Sequence, residues 1–596
     1  MSIEQHARSL VEAAVAQLAA EGSLAPASTS ASFTVEKPKR PGLGDVATNA
    51  ALALQKAAGR PPRAIAELLA SRLVNAPGVA SVELAGPGFL NLRLAPAVFH
   101  AVLDEVQKAG AGYGRAPAAT GERILVEFVS ANPTGPLLLS HARGAIVGDA
   151  VASVLEAAGH RVVREYYVND FGNQVRLFGE SVRAKAEGRP APEGGYDGDY
   201  VAEVAAWVKA HEPQALASAD PSVLARLSVT RMLDGVPGSK LLPGIQKTLA
   251  DLGVHHDVWT SEESLHRWGR VSASLADLRA RGALEERDGA LFFKSEGDDK
   301  DRVVQKSDGS FTYFASDIAY HAQKLARGFD RLIDVWGADH HGYVARIQGA
   351  LAALDLPAAR FEVLLTQLVY LTRNGERVKM GKRLGNIVTI EEVVDEIDEA
   401  AQRKGAGADA LRFFYLARHS DKPVEVDIEV AKKASLDNPV FYLQMGHARA
   451  SSILSRAREV FGLEPSAAGE RGAFDKLVHP DELAIAGHLG RYPGVLAEAA
   501  ELREPHRVLF YLQELSQLFQ SYFTRLKDDP VLPQTRHTQV PGWESSWDFE
   551  RSRQRLAWVS AIRTVYGAGL RVLGITAPDR MPKLPSPSAA EEEISA

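Results

Sequence analysis

The run Val126-Glu127-Phe128-Val129-Ser130-Ala131-Asn132-Pro133-Thr134-Gly135-Pro136 constrains this chain more than any other. Apolar and β-branched residues from Arg123 to Val129 read as a buried strand, and the Asn-Pro-Thr-Gly-Pro cluster stops it. The Ala-, Val- and Leu-rich segment from His141 to Ala158 then reads as a helix. A strand that turns directly into a helix aims unpaired N–H groups and the positive end of the helix dipole at whatever anion lies over the strand ends. The glycine-lysine signature of a P-loop is absent from this turn. Arg164 to Val168 reads as a second strand, which makes a βαβ unit and leaves Asn169, Asp170 and Gln174 outside the carboxyl ends of the strands, where such sheets bind ligands. An Asx turn capping the next helix is the other reading of those residues.

A chain of 596 residues needs several domains, and an apolar share of 45% is ordinary for a folded globular protein. With no cysteine, disulfides and thiolate zinc modules are excluded. No apolar run reaches membrane-spanning length, and Glu4 and Glu12 on a helix-like pattern are unlike a signal or transit peptide, so the expected location is cytoplasmic. A formal charge of -7 means that any RNA partner is met by local basic surfaces and by shape rather than by net charge.

Residues 1–112 read as a small α+β unit with helices over Ile3–Glu21, about Asp45–Ala58 and Pro62–Leu73, followed by short strands. Gly86-Pro87-Gly88 lacks a third glycine and reads as a turn, not a dinucleotide fingerprint. From about residue 180 to 285 the pattern is helical, polar and loop-interrupted, an insertion with no evident chemistry. Asp308-Gly309 between two alternating runs predicts a hairpin. A strand over Leu332–Trp336 opens into Gly337-Ala338-Asp339-His340-His341-Gly342; adjacent histidines on an extended stretch face opposite ways, which speaks against a metal site. The loop Val378-Lys379-Met380-Gly381-Lys382-Arg383-Leu384-Gly385-Asn386 carries three cations, and from about residue 396 the pattern is almost wholly helical. Pro582–Ala596, rich in Pro, Ser and Glu, reads as a disordered tail.

Glu127 to Gly135 followed by His141-Ala142-Arg143-Gly144 resembles the first nucleotide-binding segment of class I aminoacyl-tRNA synthetases, and of the arginyl-tRNA synthetase family in particular. Gly337 to Gly342 is similar to the string that lines the adenylate pocket in that family, and the loop from Val378 to Asn386 resembles the second class I signature, Lys-Met-Ser-Lys-Ser. Leu43 to Asn49 and Ala85 to Asn91 resemble the family's N-terminal additional domain. Gly407 to Arg412, Asp437 to Arg449 and Leu573 to Met581 resemble its anticodon-binding bundle. The fold so implied is α/β: a Rossmann-like parallel-sheet catalytic domain over 113–395 carrying the insertion. An N-terminal α+β domain over 1–112 grips the outer corner of tRNA, and a C-terminal all-α helical bundle over 396–581 binds the anticodon.

The activity implied is formation of arginyl-adenylate from ATP, with Mg²⁺ on the phosphates, and transfer of arginine to the 3′ end of tRNA(Arg), by a monomer holding no metal of its own. Its catalytic residues would be His141, Lys379, Lys382 and Arg383. ATP would be bound by Pro133, Thr134, Gly135, Ser140, His141 and Gly144, with Asp339, His340, Lys379, Met380 and Lys382. Arginine falls to Glu127, Ser130, Asn132, Tyr313, Asp317 and His340; a guanidinium is planar with five fixed donors and calls for carboxylates in fixed directions. The tRNA contacts implied are Asn49, Phe89, Asn91, Tyr442, His447, Arg449 and Met581.

Two departures stand out. The signature that the class writes His-Ile-Gly-His reads Leu138-Leu139-Ser140-His141, which removes one donor toward the phosphates and adds a Cβ and hydroxyl at 140; in the second signature Gly381 replaces a serine and Leu384 an alanine. They leave open a tRNA-binding paralogue with weakened or lost activation. Another adenylate-forming ligase of the superfamily would not need the two flanking domains.

Overall fold

The computed structural model describes residues 2–38, 40, 42–116, 121–295, 300–378, 388–433, 435, 437–470 and 472–582. At its centre lies a five-stranded, all-parallel sheet. Along the chain its elements are β1 (Arg123–Phe128), helix α1 (Leu139–Ala157), β2 (Arg161–Val168), β3 (Val258–Ser261), helix α2 (Tyr313–Ala326), β4 (Arg331–Gly337), helix α3 (His341–Ala353) and β5 (Phe361–Thr366). The spatial order is β5-β4-β1-β2-β3. Strand order therefore reverses between β1 and β4, the switch point at which open α/β sheets bind their ligands. Parallel strands buried on both faces need continuous apolar runs, and β1 is buried from Ile124 through Phe128. Helix α1 lies close against β1 because Gly148 faces Phe128; a Cβ there would come 2.3 Å from the ring.

The expected insertion ends earlier than its polar helical pattern suggested. Val258–Ser261 already pairs with β2, so a four-residue strand returns the chain to the sheet well before residue 285. Asp308-Gly309 does form a turn, closed by Lys306 N–H to the Ser310 carbonyl at 2.8 Å. Its flanks meet through one bridge, Gln305 with Phe311, and the Thr312 N–H to the Val304 carbonyl at 3.1 Å, while Arg302–Gln305 also pairs with Ala290–Phe293 in a separate three-stranded antiparallel sheet.

The N-terminal part packs helices on a four-stranded antiparallel sheet ordered Val35–Glu36, Val46–Thr48, Phe89–Leu94, Val79–Ala85. The helix expected from about Asp45 begins at Ala50, since Val46–Thr48 is taken by Leu90–Leu92. The C-terminal part is a bundle of Pro439–Phe461, Pro480–Gly490, Tyr492–Leu502, His506–Arg525 and Phe549–Val572. The segment before it is not wholly helical: Val424–Asp427 pairs in parallel with Val369–Arg373. One continuous apolar core runs through the N-terminal part, α1 and the bundle, and a second lies on the other side of the sheet under α2 and α3. Among the described residues no helix is long and apolar enough to cross a membrane.

Candidate active site

A cavity of about 470 Å³ opens at the carboxyl ends of β1 and β4. It is lined by Glu127 and Ser130 from β1 and its turn, Asn169 after β2, Tyr313, Asp317 and His321 from α2, Asp334 from β4, and His340 and Tyr343 beyond β4. Five of the six residues expected at arginine meet in this one place: Glu127, Ser130, Tyr313, Asp317 and His340. Asn132 lies just outside on the exposed turn, where its amide donates to Gln174 Oε1 at 2.8 Å.

The turn after β1 is strained. Val129 has φ 73° and Ser130 φ 41°, a left-handed conformation that a β-branched valine adopts only where its surroundings force it, at a cost of order 1–3 kcal/mol per residue. Ser130 Oγ donates to Glu127 Oε1 at 2.7 Å and accepts the Tyr167 N–H at 3.1 Å. Asn169 donates to the Ser130 carbonyl at 3.1 Å, and the Tyr166 hydroxyl to that of Ala131 at 2.8 Å. Asp170 instead reaches across to a helix much later in the chain, Glu262–Arg267, accepting the Glu263 N–H at 2.8 Å. The helix that follows, Asn173–Ala186, has Gly172 as its N-cap and no side-chain cap bond, so the Asx reading is corrected for Asp170, and the ligand-facing reading suits Asn169.

A carboxylate just before Ile318 could equally be a helix N-cap, but α2 starts at Tyr313 with Thr312 as its N-cap, which puts Asp317 inside the second turn. Its carboxylate accepts the Tyr343 hydroxyl. Burial raises its pKa to about 6, against the lowering by Tyr343 and His321. Tyr313, four residues earlier on the same face, is 59% exposed and lies at the cavity mouth.

At the floor, α2 sends His321, and beneath it Lys324, toward Glu127 and Asp334, which are direct neighbours on β1 and β4. No sequence signal marked Lys324, His321, Asp334 or Tyr343. Lys324 and His321 do sit seven and four residues beyond Asp317, the helical spacing that puts all three on one side.

On the expected phosphate side, Pro133 and Thr134 are buried in the turn and Gly135 is half-buried. Tyr200, from the helix Asp199–His211 of the insertion, donates its hydroxyl to the Thr134 carbonyl at 3.1 Å. The insertion therefore does touch the site. Helix α1 opens with Ser140 exposed and His141 half-buried. His141 Nδ1 accepts the Leu138 N–H at 3.0 Å, the reciprocal half of a capping box, which assigns the ring proton of the neutral form to Nε2. The expectation of several open N–H groups at this helix start is corrected. Leu138 N–H is taken by His141, Leu139 N–H by the Val388 carbonyl at 3.2 Å, and His141 N–H by the Leu138 carbonyl at 2.8 Å. Gly144 is half-buried one turn on, while the preceding Arg143 is fully buried and donates to the carbonyls of Gln367, Leu368, His419 and Lys422. Asp339 is exposed and pairs with His340 at 3.6 Å. Lys379, Met380, Lys382 and Arg383 lie outside the described residues.

The residues expected at RNA scatter over two other regions. Phe89 presents its ring at the surface, 41% exposed. Asn49 accepts the Thr34 N–H at 2.7 Å, and Asn91 is buried within its strand, so these two shape the surface beside Phe89. Met581 lines a cavity in the bundle with Phe441, Gln444 and Arg580, and Tyr442, half-buried, does not. His447 is buried against the Pro578 carbonyl at 3.0 Å, and Arg449 is half-buried, bonded to Gln520 and lying 5.2 Å over the Phe523 ring. Both are occupied in holding the C-terminal segment and the bundle together.

Three family models match in chain order: the arginyl tRNA synthetase N terminal domain over residues 5–94, the class I (R) tRNA synthetase catalytic domain over 106–191 and 239–411, and the DALR anticodon binding domain over 443–581. The catalytic model thus skips the segment that carries Tyr200. Arginine–tRNA ligase of Syntrophotalea carbinolica is 44% identical over 560 residues, covering 92% of this chain and 95% of that protein. Arginine–tRNA ligase of Frankia alni is 43% identical over 574 residues, covering 96% and 98%. In fold, the chain is similar to the solved arginyl-tRNA synthetase of Thermus thermophilus, with a TM-score of 0.69 at 24% identity over 97% of this chain and all of that one.

Proposed function

The chain belongs to the arginyl-tRNA synthetase family, and we infer from that premise and the cavity's geometry that it is an arginine–tRNA ligase working at the switch point of β1 and β4. It joins arginine to ATP as arginyl-adenylate, with release of pyrophosphate, and passes the arginine to the terminal ribose of tRNA(Arg). The observation that carries the residue assignment is the pair of carboxylates, buried Glu127 on β1 and half-buried Asp317 on α2, lining one cavity.

Asp317 takes the guanidinium, which a carboxylate accepts through two parallel N–H bonds. Glu127, Ser130 and Asn132 hold the amino-acid end, Tyr313 and His340 flank it, and the Pro133–Gly135 turn with the start of α1 receives MgATP. No covalent enzyme intermediate is needed: the carboxylate oxygen of arginine attacks the α-phosphorus, the bond to the β-phosphate oxygen breaks, and the residues hold reactants in line while His141, Lys379, Lys382 and Arg383 meet charge on the leaving pyrophosphate. The strained Val129–Ser130 turn supports this reading, because strain kept at a ligand wall fixes Ser130 and Glu127 before the substrate arrives.

The flanking parts, over residues 1–112 and 396–581, take the outer corner and the anticodon of tRNA; Phe89 and Met581 are their contact residues, and the enzyme works as a cytoplasmic monomer. The alternative, a tRNA-binding paralogue without activation, finds no support among the relatives, which carry the ligase name.

The test is ATP–pyrophosphate exchange with each proteinogenic amino acid, with and without tRNA. Exchange with arginine alone, and only when tRNA is present, is the expected outcome. Exchange with another amino acid overturns the substrate assignment, and robust exchange without tRNA overturns the requirement for tRNA.

A further inference from the structure

Lys324 has no exposed surface, yet it is a full cation in a dry interior. Its ammonium donates to Asp334 Oδ1 and Oδ2 at 2.9 and 3.0 Å and to Glu127 Oε2, and it lies 4.3 Å over the Tyr320 ring. Glu127 and Asp334 are register partners on β1 and β4, so two carboxylates face each other across the switch point and would repel without a cation between them. Glu127, His321 and Asp334 have the outline of a metal-binding set, their ligand atoms lying within 4.8 Å of one another. The lysine ammonium bonds to two of the three and supplies the cation itself. Resting on the arginine assignment above, we propose that Lys324 is a positioning residue for amino-acid recognition: anchored by Asp334 beneath the cavity floor, its ammonium fixes Glu127 as an anion facing the α-ammonium group of arginine.

Removing Lys324 for stability alone would cost little if a methionine filled its place and its partners were neutralised with it. A buried carboxylate that must stay charged at the wall of the cavity needs the ammonium. The charged and titratable groups around Glu127 are Lys324, His321 and Tyr320 from α2, Asp334 from β4, and the Tyr167 hydroxyl from β2, which is buried without a hydrogen-bond partner. Burial pushes the Glu127 carboxyl up, and Lys324 is the largest influence holding it down. Asp334 is held low, against burial, by Lys324 and His321, while Lys324, despite its burial, is raised to about 12 by Asp334 and Glu127. The ammonium is therefore a fixed charge throughout the working range of pH.

The experiment is steady-state aminoacylation by the full chain carrying Lys324→Met, with arginine and ATP varied separately between pH 6.5 and 9. At pH 7 the KM for arginine should rise about 10- to 100-fold while the KM for ATP stays within about twofold. Without the ammonium Glu127 holds a proton at neutral pH, so the arginine deficit should narrow as pH rises and Glu127 loses that proton. An unchanged arginine KM, or a parallel rise for both substrates at every pH, overturns the proposal. The companion pair Glu127→Gln with Lys324→Met removes one charge of each sign and guards against misfolding of the single variant. If Lys324 acts through Glu127, the pair matches Glu127→Gln alone within about twofold; losses that multiply overturn the proposal. A wild-type protein that charges no tRNA with arginine would instead bring down the reading of the cavity on which this one rests.

Discussion

Asp317 must be an anion to hold a guanidinium, and it sits where becoming one is costly. Burial lifts its pKa to about 6, with the Tyr343 hydroxyl pulling it back. Arginine binds the ionised form, so affinity grows as pH rises through that value and levels off above it. Between pH 7.5 and 5.5 the arginine KM should rise about fourfold, from the ionised fractions at those pH values. Tyr343→Phe removes the donor that favours the anion, so the midpoint of the profile should move upward, by about one unit. A midpoint below 5, unmoved in the variant, would mean that Asp317 is solvated and that Tyr343 does not set its charge. At this scale the sequence shows the carboxylates and hides their supports. Glu127 and Asp317 are visible because they stand in strings with a familiar order. Lys324, seven residues past Asp317 and with Gln323 and Arg327 around it, reads as an ordinary solvated lysine until β4 brings Asp334 beside it.

Helix α1 was legible from end to end, since apolar residues fill it all round and a Pro-Gly cluster marks its start. What its sequence could not show is that other segments consume its first N–H groups. The Leu138–Thr389 bridge, with Leu139 N–H on Val388 and Ile390 N–H on Leu137, stitches the helix start to the chain just past Asn386. Less backbone is therefore left to compensate for the leucine at 138, and side chains must meet more of the phosphate charge. Leu138→His with Ser140→Gly changes side chains without breaking that bridge, so single-turnover adenylate formation should accelerate, by up to about 10²-fold for one regained donor. Affinity for tRNA should stay the same, as the contacts proposed for it lie in the flanking parts. Quench-flow measurement showing no acceleration would mean that position 138 plays no part in the chemical step here. The strand β3 was illegible for a different reason: four residues between polar helices carry too short an alternation to stand out, and only the partner strand β2 defines them.

Across the molecule, Arg412 joins parts that are far apart in sequence. Its guanidinium donates to the Leu252 and Gly253 carbonyls at 2.8 Å, to Leu573 at 2.9 Å, and to Asp149 of α1 at 2.8 Å, with 1% of its side chain exposed. Gly574 leaves it room; a Cβ there would come 2.1 Å from the guanidinium. Arg412→Lys keeps the charge but cannot point donors in all these directions, so the cooperative unfolding midpoint in urea should fall, with a loss of about 3 to 5 kcal/mol. A wild-type midpoint would show that the other contacts between these parts suffice. The order of domains was readable from their strings; their attachment was not, because it is made by residues such as Tyr113, whose hydroxyl donates to the Leu489 carbonyl at 3.2 Å, and by Glu4, paired with Arg491 at 2.6 Å. His100 and Asp104 add bonds to Leu477 and Gly469, so the N-terminal part is fastened to the bundle itself. The consequence is mechanical. If the two flanking parts take one tRNA as proposed, they do so as a single fastened frame, and an RNA of the wrong span would then be refused by its length and bend before any base is read.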